Sequence, residues 1–178
     1  MKKIMLLFMI IFLTGCTTSS ARVATERYLN KYKALDSEVL VDMESIIEKE
    51  NLKTEAKEKY RSVLKKQYKD LSFVITGEEF DDNVSYVTTR VTVYDLYKAQ
   101  KDASLYLDNN KNEFLDENGN YDEDKYINYK LDRMMMMQDR IEYTIIFTVT
   151  KEDNEYVIIQ PTENDLKKIH GIYNYELN

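Results

Sequence analysis

The chain has 178 residues, 25 Lys and Arg against 32 Asp and Glu, one His, one Cys and no Trp. A net charge of −7 argues against nucleic acid as a partner, and a single Cys with a single His excludes a disulfide and a classical zinc site. One Pro and four Gly leave regular elements to dominate, and the length suits one hydrophobic core.

Lys2 and Lys3 precede an apolar run from Ile4 to Phe12, which ends in Leu13-Thr14-Gly15-Cys16. A basic start, a run too short to span a bilayer and a small-residue boundary are the three parts of an export signal. The last four residues resemble a bacterial lipobox. The resemblance implies removal of residues 1–15 as a signal peptide, diacylglyceryl modification of Cys16 and acylation of its new amine with a chain such as palmitate. Two or three acyl chains anchor lastingly, each buried methylene contributing about 0.8 kcal/mol. The expected location is the extracytoplasmic face of the cell envelope, with the membrane as a partner through the lipid. Loss of Lys2 and Lys3 takes the net charge from −7 to −9.

Residues 16–21 then read as the lipidated cysteine and a short tether, 22–172 as one domain and 173–178 as a fraying tail. Ala24, Tyr28, Tyr32 and Leu35 recur at helical spacing. Ser37 is placed to cap a second helix with Leu40, Met43 and Ile47 inward. Thr54 is placed to cap a third, with the stripe Ala56, Tyr60, Val63, Leu64, Gln67 and Leu71. After Leu71 the period becomes 2: Phe73 and Ile75 alternate with Ser72, Val74 and Thr76, and Gly77 and Asp81-Asp82-Asn83 mark a turn. The strand Ser85 to Tyr94 carries Val87, Val91 and Val93 on one face. Its other face, with Tyr86, Thr88, Arg90, Thr92 and Tyr94, is suited to line a cavity or groove.

Between about Asp95 and Arg140 the helical period returns, through Leu96, Ala99, Ala103 and Tyr106 and again from Asp122. This predicts a helical hairpin inserted mid-sheet, with an acidic and mobile tip: residues 108–124 hold one Lys and seven carboxylates. Four successive methionines, Met134 to Met137, cannot all face one core, so at least one is expected at the surface. Ile141, Tyr143, Ile145, Phe147 and Val149 then define the clearest strand, and a turn at Lys151 to Asn154 leads back into Tyr156 to Gln160. Thr162-x-x-Asp165 resembles a capping box for a short last helix ending at Gly171.

The pattern predicts an α+β fold, a curved antiparallel sheet of about four strands packed on N-terminal helices. The segments Tyr68-Lys69-Asp70-Leu71-Ser72-Phe73, Asp81-Asp82-Asn83, Val93-Tyr94-Asp95-Leu96-Tyr97 and Phe147-Thr148-Val149-Thr150-Lys151-Glu152-Asp153 resemble a group of small bacterial lipoproteins of unknown function. That resemblance implies a cystatin-like, nuclear-transport-factor-2-like domain over about residues 22–172. It departs at Tyr156, where the group usually has Trp, and it supplies no functional residues.

Three functions compete. The first is a non-enzymatic binding module, taking a small apolar ligand in the cone of the sheet or an envelope protein on its rim, with Tyr86, Tyr94, Asp95, Tyr143 and Tyr156 as candidate contacts. The second is a ketosteroid-isomerase-like enzyme, for which Asp95 is the best carboxylate base, although its place before a helix makes a cap the simpler role. The third is weak calcium binding at Asp108-x-Asn110-x-Asn112 or Asp116-x-Asn118-x-Asn120. Neither loop has the Gly and Glu that an EF-hand needs, so no metal site is expected. His170 precedes Gly171 and reads as an imidazolium at a helix C-terminus. The expectation is therefore an anchored binding module without a cofactor rather than an enzyme.

Overall fold

A computed structural model describes residues 20–177. The expected signal peptide, Cys16 and most of the expected tether lie outside the described residues. The fold is α+β, with one four-stranded antiparallel sheet in the order β1-β2-β3-β4. Its strands are β1 (Ser72–Asp81), β2 (Val84–Tyr94), β3 (Arg140–Glu152) and β4 (Glu155–Ile158).

Three helices come first: α1 (Ala21–Ala34), α2 (Ser37–Lys49) and α3 (Thr54–Lys69). Their starts differ from expectation for local reasons. The Ser20 hydroxyl accepts the Val23 N–H, so the first turn of α1 closes within the segment read as tether, and Ala21 is fully buried. The α1 core face is also rotated. Thr25, Leu29 and Tyr32 are buried, while Ala24 and Tyr28 are only partly so. Asp36 rather than Ser37 caps α2, accepting the Glu38 N–H at 3.1 Å, and Lys53 stands at the start of α3 without a side-chain cap. The predicted α3 stripe is buried along its length, together with Tyr68.

Helix α1 lies across the sheet and touches all four strands, and α3 packs beside it. The sheet face beneath carries Val87, Thr89, Val91 and Val93 from β2 and Tyr143, Ile145, Phe147 and Val149 from β3, all buried. Each large aliphatic or Phe buried there contributes about 1.5–3 kcal/mol. Gly77 is not a turn residue: β1 runs through it with a bulge after Ile75, and the chain reverses at Asp82, where φ is +51°. Asp153 and Asn154 both have positive φ, as a tight β3–β4 hairpin turn requires.

The predicted hairpin between β2 and β3 consists of α4 (Leu96–Asn109), a 3-10 turn (Lys111–Phe114) and α5 (Glu123–Met136), with α5 on α3 and α4 on α5. Its tip is built around Phe114, 3% exposed and edge-on to the rings of Tyr106, Tyr126 and Tyr129. Of the four methionines Met134 is buried and Met136 is exposed. Helix α6 (Glu163–Ile169) follows β4, and Thr162 caps it by accepting the Asp165 N–H at 3.2 Å. The Asp165 carboxylate reaches back to Thr162 as a capping box would, but accepts its hydroxyl, at 2.6 Å, while the other oxygen accepts from Lys168 at 3.0 Å.

The fraying tail is a correction. Ile172, Tyr173 and Tyr175 pack against the core, the Tyr173 ring meets Tyr143 edge-on at 5.7 Å, and Glu176 pairs with Lys101. Two tyrosines and Ile172 among the last seven residues provide apolar surface that holds the chain end down.

Candidate functional site

Helices α2 and α6 face each other across a cleft of about 370 Å³. Each wall is one helical stripe at i, i+3, i+4 and i+7: Asp42, Ser45, Ile46 and Lys49 on α2, and Glu163, Leu166, Lys167 and His170 on α6. Tyr32, Ile172, Glu50 and Gln160 complete the lining.

His170 occupies the helix-end position expected of it, but the imidazolium reading is overturned. The ring is 4% exposed and its Nδ1 lies 2.9 Å from the Tyr68 hydroxyl. Burial holds its pKa down to about 4, so the ring is neutral at pH 7. Burial raises the phenols of Tyr68 and Tyr32, which stay protonated. Tyr68 has no other hydrogen-bond partner among the described residues, so its O–H donates to Nδ1; the reverse arrangement would strand the buried hydroxyl proton. The proton of the imidazole then sits on Nε2, which makes no hydrogen bond among the described residues. The Tyr32 ring is edge-on to Tyr68 at 5.2 Å, and its hydroxyl lies 3.3 Å from that of Tyr28.

A buried amide fixes this wall in place. Gln67 Oε1 accepts the Tyr94 N–H at 3.0 Å, and its Nε2 donates to the carbonyls of Tyr94 and Ile169 at 3.4 Å. Gly171, at φ +74°, lets the chain leave α6 over this amide. A Cβ there would lie 2.4 Å from both Gln67 Nε2 and the Tyr94 carbonyl oxygen. The end of α6 is thereby locked to α3 and β2.

The five residues expected from the sequence do not form one site, and none lines this cleft. Tyr86 pairs with Thr148 and Tyr143 with Val91, registers that put the two tyrosines on opposite sheet faces. Tyr86 is exposed on the outer face. Tyr94, on the same face, donates to Asp70 at 2.9 Å, with Lys66 Nζ 3.2 Å from its ring centroid. The face read as a cavity lining is thus the open side of the sheet, because α1 covers the other. Tyr156 is half-buried on the last hairpin. Tyr143 is buried, and its hydroxyl has no hydrogen-bond partner among the described residues.

Asp95 caps α4, as its position suggested: Oδ1 accepts the Lys98 N–H at 2.9 Å, and Oδ2 accepts the Tyr175 hydroxyl at 3.1 Å. Burial and this carboxylate push the Tyr175 phenol up to about 12, and the same two causes raise Tyr143. Asp95 and Tyr143 therefore share one end of the sheet, yet both carboxylate oxygens already accept hydrogen bonds there.

At the acidic tip Asp116 acts as a loop staple. Its Oδ1 accepts the N–H groups of Asn118 and Asn120, both at 2.8 Å, and these bonds hold its carboxyl below the usual range. Among the described residues no group of three His, Cys, Asp or Glu is placed to hold a metal.

The sequence reading missed the cleft and the Tyr68–His170 pair. Tyr28 and Tyr32 are visible at i, i+4, but Tyr68 and His170 meet across 102 positions, with no local signal. Comparison with protein-family models, curated proteins and solved structures returned no match.

Proposed function

We propose that the protein is a membrane-anchored, extracytoplasmic lipoprotein whose α+β domain binds a small ligand in the α2–α6 cleft without transforming it. The observation that carries the binding reading is the cleft itself. Its volume falls within the usual range of ligand sites, about 300–1,000 Å³, and it combines aliphatic walls with a few polar groups. The weak basicity of the cleft's only imidazole supports the non-enzymatic reading. Ser45 shares the cleft with His170, but no hydrogen bond joins them, and a ring with pKa about 4 is a poor general base at neutral pH. Its Nδ1 meets a phenol rather than an orienting carboxylate, so the relay of a nucleophilic triad is missing. The isomerase reading is weaker, since Asp95 is committed to capping α4 and to Tyr175.

The lipobox-like Cys16 supports the anchor, and the structure bears on its reach. Ser20 lies four positions after Cys16, at most about 14 Å when extended, and helix begins at once. The domain would stand directly on the headgroups.

Two measurements on the full chain expressed in a bacterium test the proposal. Wild type is expected in the membrane fraction carrying labelled palmitate, and Cys16→Ser unlabelled in the soluble fraction; identical fractionation and labelling would refute the anchor. Native mass spectra of the detergent-extracted lipoprotein are expected to show a small-molecule adduct that Ile46→Trp, which fills the cleft, removes. An adduct retained by the folded variant would move the site elsewhere.

A further inference from the structure

We infer that the α2–α6 cleft takes an uncharged small molecule that presents a carbonyl oxygen, carried on an apolar body, to the Nε2–H of His170. This rests on the proposal that the cleft binds a ligand, and adds the group by which the ligand is held.

His170 is 4% exposed, yet it lines the cleft. Its Nδ1 faces the hydroxyl of Tyr68, which is fully buried and stands outside the lining. The two nitrogens of an imidazole point in diverging directions, so Nε2 faces away from Tyr68. Among the described residues, the fully enclosed side-chain nitrogen and oxygen atoms without a hydrogen bond are Glu78 Oε1, Thr89 Oγ1 and Tyr143 Oη. His170 Nε2 is unpartnered but not enclosed, and the opening that His170 lines is the cleft. Because Tyr68 donates to Nδ1, Nε2 carries the proton. The cleft therefore holds a donor on a buried ring, and the protein supplies no acceptor for it. A ligand oxygen placed there completes the bond.

The charge of the ligand follows from where the charges of the cleft lie. Asp42, Lys49 and Glu50 line it but are exposed and carry both signs, so they stay hydrated and select neither. Lys167 and Glu163 pair with each other at 2.8 Å. At the buried end the only titratable ring that donates into the cleft is neutral at pH 7. A cation there meets the positive end of the N–H bond. A carboxylate gives up its hydration for a single neutral donor, which costs more than that bond returns. A carbonyl oxygen gives up far less, and the half-buried Ile46, Leu166 and Ile172 cover the apolar remainder.

The test uses the full lipidated chain in an uncharged detergent, with nitrogen-15 in its histidine. One ring gives all the signals, because His170 is the only histidine. The free protein is expected to show Nδ1 bare and Nε2 protonated; the reverse would overturn the inference. Four probes share a benzene ring: acetophenone, α-methylstyrene, in which a methylene group replaces the carbonyl oxygen, benzoate and benzylammonium. Acetophenone is expected to shift Nε2 downfield and saturably. At equal free concentration outside the micelles it should bind about tenfold more tightly than α-methylstyrene, the fold-change of one neutral hydrogen bond. In folded Ile46→Trp the shift is expected to vanish, and its survival would place the acceptor outside the cleft and overturn the inference. If another probe binds as tightly, or if acetophenone moves the carbon-bound protons of the ring but not Nε2, the carbonyl inference is wrong while the cleft remains a binding site. If no probe moves any resonance of the ring, both this inference and the binding role of the cleft fall.

Discussion

Acid should weaken this protein, and one residue should account for a separable part of the loss. In an unfolded chain His170 would titrate near pH 6.5, whereas in the fold burial holds it down to about 4. The native pKa is the lower one, so as pH falls the unfolded state takes up the proton first. Above about pH 6.5 neither state is protonated and the residue has no effect; below that, stability drops by about 1.4 kcal/mol per pH unit until the native ring also protonates near 4. The total is about 3 kcal/mol, a large share of the 5–15 kcal/mol typical of a domain. Urea unfolding of wild type and His170→Gln at about pH 7 and pH 4.5 isolates this contribution, because the carboxylates titrate in both and cancel. Wild type is expected to lose about 2–3 kcal/mol more than the variant over that interval. Should the variant not fold, the lone Hε1 resonance of wild type gives the answer directly. A midpoint near 6.5, or an equal acid loss in both proteins, would refute the buried neutral ring.

Gly171→Ala is expected to cost about 2–4 kcal/mol in urea unfolding, since it adds left-handed strain to a clash with Gln67 and Tyr94; an unchanged midpoint would mean that the α6 terminus relaxes freely. Thr89 is fully buried with no partner for its hydroxyl among the described residues, so Thr89→Val should leave stability unchanged or raise it by up to about 1 kcal/mol. A clear loss there would reveal a hydrogen bond that this account lacks. Millimolar calcium should not shift the melting temperature, because Asp116 already accepts the N–H groups of Asn118 and Asn120; a rise would reinstate the loop as a site.

What was legible in the sequence was whatever local periodicity determines. Ile141 to Val149 alternates without a break and forms β3, and the α3 stripe is buried as written. Asp95 and Asp122 cap α4 and α5 because a cap needs only its next three residues. Reading faces was less secure. Thr89 and Ser85 are polar yet lie on the buried face of β2, and the Tyr86–Tyr94 face is open because only one side of the sheet receives α1. The candidate site was not legible at all. Its walls are short stripes of mixed polarity on two helices, and nothing in either stripe announces the other. The charge state of His170 depends on Tyr68 and on burial, both supplied by remote segments, so the local rule for a histidine at a helix end gave the wrong answer.

The residues after α6 connect these observations. Tyr173 covers Tyr143, Tyr175 holds Asp95, and Glu176 reaches Lys101 on α4, so the last turn of chain is tied both to the sheet end and to the inserted hairpin. Between those ties and α6 stands Gly171, pressed onto the Gln67 amide, and immediately before it His170. The position of one cleft wall is therefore set from both sides, by the Thr162 cap at the start of α6 and by the packed chain end beyond it. A site held by two anchorages on a rigid sheet suits recognition of a fixed shape. Loosening the tail should accordingly move His170 and the cleft before it disturbs the β2–β3 core, which places the C-terminal tyrosines, rather than those of the open sheet face, in the service of the site.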